Sequence, residues 1–217
     1  DKGVKLTQYI KGSKMGYSFK DSDLTSEKSL WDVYKLSRRI LPSKFQYFTI
    51  IFVMTLLTIN AFIFVNGHQI ILQDVRRWSD LGFNFAITTL GFLIAGFTIF
   101  ATISKPKMML AMMDHINKET GLPTLKYNFF TFMKVFIAYI SFSVIYLLII
   151  LIGQPDGFLS NLVSLLPNSD CVKTILIKVA YIIVGGSFVY LLLLLKSFVF
   201  NIYAIVMNFL RWEYHQD

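Results

Sequence analysis

A single cysteine, Cys171, excludes an intrachain disulfide, so packing and hydrogen bonding must hold this chain together. Charged side chains make up only 16% of its 217 residues. With 55% apolar residues and a mean hydropathy of +0.57, too little polarity remains to cover an ordinary soluble surface. The motifs that carry enzymatic chemistry are missing as well: no Walker lysine loop, no dinucleotide fingerprint, no HExxH and no CxxC. His68, His115 and His215 are far apart and fall on opposite sides of the expected topology, so they do not converge on one metal. Asp114 and His115 adjoin Met108, Met109, Met112 and Met113, whose spacing is that of a short surface helix. No catalytic residue, cofactor or metal is therefore expected, and the chain reads as a non-enzyme.

What the sequence has is phenylalanine, 21 of them, and four long apolar runs. Runs of 18 or more apolar residues are the signature of membrane-spanning helices. The expected spans are about 45–65, 82–103, 127–152 and 172–196, within a transmembrane domain covering 45–212. The expected fold is all-α: a polytopic membrane protein with four transmembrane helices, a cytoplasmic amphipathic N-terminal helix and a long C-terminal helix. Phe45, Tyr47 and Phe48 stand before the first span, and Tyr127, Phe129 and Phe130 before the third, as rings do where one edge is wet.

Residues 1–44 form a basic tail and helix, with ten Lys or Arg against five Asp or Glu. This segment has no apolar core, so no secretory signal is expected there and the first span would act as an uncleaved anchor. From Leu24 the pattern turns helical, with Thr25 or Ser26 as candidate caps and Pro42 beyond the end at Leu41. Lys28, Lys35, Arg38 and Arg39 make that helix basic, suited to the inner membrane surface or to docking a cytoplasmic protein. The formal charge of +8 lacks nucleic-acid motifs, and the positive-inside rule accounts for it. The first loop, 66–81, balances Arg76 and Arg77 against Asp74 and Asp80. The second, 104–126, is basic, and the third, 153–171, holds Asp156 and Asp170 with no cation. The alternation places both termini in the cytoplasm, with the plasma membrane the expected location.

No span contains a carboxylate, which argues against proton-coupled transport. Span two instead carries Asn84, Thr88, Gly91, Ala95, Thr98 and Thr102 at alternating spacings of four and three, the period of one helix face. Such a face suits close packing between helices or the lining of a water-filled path. Span four repeats the theme with Ser187, Tyr190, Ser197, Asn201 and Asn208, just after Gly185 and Gly186. Lys134 and Lys196 would snorkel to the inner interface or form a basic vestibule. Beyond residue 196 the apolar pattern continues to Trp212, more consistent with an amphipathic extension over 197–212 than with a fifth span.

Two functions follow as expectations. The first is a small homo-oligomer that forms or gates an ion-conducting pore in the bilayer, of the kind a membrane-acting effector would use. The second is a non-conducting anchor or accessory subunit that recruits a cytoplasmic protein.

Overall fold

The structure, a computed structural model, describes residues 18–40, 42–65, 67–103, 105–154, 157–165 and 168–214. Most of the expected N-terminal tail, Asp156 of the third loop and His215 lie outside the described residues. Apart from one antiparallel bridge between Ile116 and Pro123, the described elements are helices. They are α1 (Asp21–Leu24), α2 (Leu30–Ser37), α3 (Lys44–Ile59, running into a π turn, Asn60–Phe64), α4 (His68–Ile103), α5 (Pro106–Asp114), α6 (Thr124–Ile152), α7 (Phe158–Ser164) and α8 (Ser169–Tyr214). Four of these, α3 with its π turn, α4, α6 and α8, are long and apolar enough to cross a membrane. The architecture is that of an all-α polytopic membrane protein.

The helix expected from Leu24 begins later, at Leu30, because Ser29 supplies the stronger cap. Its hydroxyl accepts the Asp32 N–H at 3.2 Å, and the Asp32 carboxylate accepts the Ser29 N–H at 3.1 Å. This reciprocal box satisfies two backbone donors that a helix start leaves unpaired. A further hydrogen bond from the Ser29 hydroxyl holds the Asp32 carboxyl below its ordinary range.

The helix carrying span two also departs from expectation, starting at His68 where a loop over 66–81 was expected. Arg76, Arg77, Asp74 and Asp80 lower the local apolar content, yet the buried period runs straight through them. Ile71, Val75, Ser79, Gly82, Ala86, Thr89 and Leu93 are all buried, at spacings of three and four. That inward face lets α4 lie along α6 and α8.

Helix α8 contacts α3, α4 and α6. At 46 residues it is about 69 Å long, more than twice the hydrocarbon layer. It runs on as one helix through the expected boundary at residue 196, so the extension continues the span's axis.

Small residues set the depth of these contacts. A Cβ on Gly82 would lie 2.8 Å from the Tyr146 ring, and one on Gly186 would collide with Met54 Sδ. Toward the Lys44 end of α3, Phe97, Phe100, Phe129, Phe132, Phe136 and Phe198 form a ring cluster with centroids 5.2–6.4 Å apart. Edge-on and tilted pairs of this kind add about 0.5–1.5 kcal/mol each beyond area burial. Six of the 21 phenylalanines meet here, inside the bundle.

Candidate functional site

The N-terminal segment is strapped onto the bundle. Val33 and Leu36 of α2 pack, with Ile40, against Leu122, Tyr127 and Phe130 at the start of α6. Lys126 Nζ donates to both carboxylate oxygens of Glu27, at 2.7 and 2.9 Å, and to the Ser26 hydroxyl at 2.6 Å. Ser18 donates to Asp114 from both its backbone N–H and its hydroxyl.

Where this segment turns into α3, it closes one side of a cavity of about 360 Å³ between α3, α6 and α8. Gln46, Thr131, Lys134, Tyr190, Ser197 and Asn201 supply its polar lining. Lys134 is the only charged residue among the described lining, and its ammonium donates to the Ile40 carbonyl at 2.6 Å. Gln46 donates to the Leu193 carbonyl at 3.2 Å and to the Ser197 hydroxyl at 2.5 Å, which ties α3 to α8. A lone cation among hydroxyls and amides suits a small anion or bound water better than a cation.

Four expected residues therefore meet in this cavity: Lys134, Tyr190, Ser197 and Asn201. Lys196 does not line it. Its ammonium is exposed and sits 5.2 Å from the centre of the Phe45 ring. No residue of α4 lines the cavity either, so Lys134 and the span-two face belong to different surfaces.

The two expected small-residue stripes have opposite fates. On α8, Ser187 is buried and shares a hydrogen bond with the Tyr146 hydroxyl, at 2.5 Å. Tyr190 stacks edge-on against Phe142 at 5.8 Å. That stripe is used within one chain, apart from Asn208, which is exposed.

On α4, all six residues, Asn84, Thr88, Gly91, Ala95, Thr98 and Thr102, are exposed on the outside of the bundle. They lie two residues out of phase with the buried face, about 200° around the helix. A Cβ added to Gly91 would meet nothing within 4 Å. The polar groups bond back to their own helix: Asn84 to the Asp80 carbonyl, Thr98 to Ile94 and Thr102 to Thr98.

Lys28, Lys35, Arg38 and Arg39 are likewise exposed. None of them joins an ion pair among the described residues. Beside them Leu30 and Trp31 are exposed by more than half, with the Lys35 ammonium 5.9 Å from the Trp31 ring centre.

Sequence reasoning missed Gln46, because a polar residue in the first turn of a span reads as interfacial. Asn60 opens the π turn and donates to the Tyr181 hydroxyl at 2.8 Å, and Tyr181 stacks on Trp78 at 4.6 Å. Among the described residues no three of His, Cys, Asp and Glu gather as a metal site. No family model matches the chain, and no curated protein or solved structure is significantly similar to it.

Proposed function

We propose that several copies of this chain assemble with the outer face of α4 turned toward a common axis, forming or gating an ion-conducting path. The observation that carries this reading is the outward placement of Asn84, Thr88, Gly91, Ala95, Thr98 and Thr102. Elsewhere the outside of the bundle presents Phe48, Phe52, Leu56, Leu192 and Phe200, bulky side chains that suit lipid. A small, weakly polar strip of about five turns gains little from lipid tails. It suits a neighbouring backbone or a column of water. With no charge on the strip itself, the path would select by width and by groups at its mouths. In this reading both termini face the cytoplasm from the plasma membrane, and the protein is not an enzyme.

Flux through liposomes holding the purified protein, with the mass of the native detergent complex, tests this. An oligomer that conducts, and whose flux falls when Thr98→Leu adds bulk without dissolving the assembly, supports it. A monomer at physiological salt overturns it. The exposed Trp31, Leu30 and their four cations favour a second reading, a non-conducting subunit that docks a cytoplasmic protein. An assembled parent protein that passes no ions would put that reading first.

A further inference from the structure

At the opposite end of the bundle, away from both described termini, lies a second and larger cavity of about 470 Å³. It is bounded by the first turns of α4, the end of α6, the short helix α7 and the start of α8. Its floor is apolar and buried, formed by Val75, Val163 and Ile177. Its exposed rim carries the amides of Gln69, Gln73 and Gln154. Two cations enter from facing helices, Arg76 and Lys173, and no carboxylate is among the described lining residues.

Both cations are under-used. Arg76 spends its Nε on the Gly153 carbonyl at 2.9 Å, and among the described residues its terminal amino groups make no hydrogen bond. Among the described residues Lys173 reaches only the Ser160 hydroxyl, at 3.3 Å. Asp74 and Asp170 are close in sequence but do not line the cavity, and neither forms an ion pair with these cations. Half-buried, unpaired guanidinium and ammonium groups over an apolar floor call for an anionic oxygen group joined to a hydrocarbon. An inorganic anion would leave the floor unused. The covering helix agrees. Helix α7, which covers the cavity, exposes Phe158 and Leu162, with Leu165 just beyond, as a short helix does when dipped into the boundary between head groups and chains.

We propose that this cavity binds an anionic membrane lipid, with its head group on Arg76 and Lys173 and its acyl chain along Val75, Val163 and Ile177. This does not depend on whether α4 lines a conducting path. Protein stripped of lipid in detergent is given phosphatidylglycerol, phosphatidylcholine or inorganic phosphate alone, and followed by native mass spectrometry and by the thermal midpoint. Phosphatidylglycerol should stay bound and raise the midpoint, with little effect from the other two. Arg76→Gln and Lys173→Gln should each weaken its binding on the order of tenfold, since a charge-assisted hydrogen bond is lost. Lys173 has so few contacts that its variant should melt like the parent without lipid, which separates lost binding from lost folding. Equal retention of phosphatidylcholine, or unweakened phosphatidylglycerol binding by the double variant, would overturn the proposal. So would a full shift from phosphate alone, which would mark a free-anion site.

Discussion

Two glycines on α4, Gly82 and Gly91, should respond to the same substitution in opposite ways. Alanine at either position gains about 0.5–1 kcal/mol of helix propensity. At Gly82 the added methyl would lie 2.8 Å from two carbons of the Tyr146 ring. That ring has no room to retreat. Its hydroxyl is bonded to Ser187, and it packs against Phe142 at 6.3 Å and Phe188 at 6.0 Å. Overpacking in such a place costs about 1–3 kcal/mol, so Gly82→Ala should be net destabilising by roughly 1–2 kcal/mol. At Gly91 nothing stands within 4 Å, so Gly91→Ala should leave one chain as stable as before or slightly more so. The assay is reversible unfolding in detergent, followed by circular dichroism, on protein dilute enough to be monomeric. A Gly82→Ala variant as stable as the parent would refute the packing of α4 on α6. A Gly91→Ala loss matching that of Gly82→Ala would refute the assignment of its face to the outside.

Other consequences are separately measurable. Ser79 is fully buried and its hydroxyl has no partner among the described residues, so Ser79→Ala should be neutral or stabilise by about 1 kcal/mol in the same assay. Lys126→Met strands the Glu27 carboxylate, whose side chain is only 14% exposed, and should loosen the N-terminal strap by about 2 kcal/mol. Limited proteolysis near Lys28 should then speed up while the four long helices persist. The Asp32 carboxyl is held low in the folded chain, so its share of the α2 cap is complete above the ordinary carboxylate range and is lost as pH falls through the depressed value. Trp31 fluorescence should follow that acid loss, and Asp32→Asn should remove the transition.

The four spans were legible because each exceeds the length at which an apolar run signals a membrane helix. The start of α4 was not. Average hydropathy drops across Asp74, Arg76, Arg77 and Asp80, while the three-and-four period of Ile71, Val75, Ser79 and Gly82 carries on. Period, rather than mean hydropathy, marked that helix. Span two carries two small-residue faces, and the more conspicuous one in the sequence is the outer. The choice between them is made by a distant ring, Tyr146, fitting over Gly82. The stripe on α8 was visible as a stripe, but its partners, Tyr146 and Phe142, come from another helix. Lys134 was visible as a cation in an apolar run. Its bond to the Ile40 carbonyl spans 94 residues and leaves no local signature. The lipid cavity was hidden for the same reason, since Arg76 and Lys173 lie on helices that only the fold brings face to face.

Water access to α4 tests the central claim most directly. Single cysteines are placed at Gly91, Thr98, Phe92 and Ile99 after Cys171→Ser removes the exposed native thiol. Each is then treated, in membranes, with a charged methanethiosulfonate that does not enter lipid. If the outer face of α4 lines a path, Gly91→Cys and Thr98→Cys are modified, while Phe92→Cys and Ile99→Cys on the flanking lipid-facing surface are spared. Four unreactive positions, or four that react alike, would contradict it.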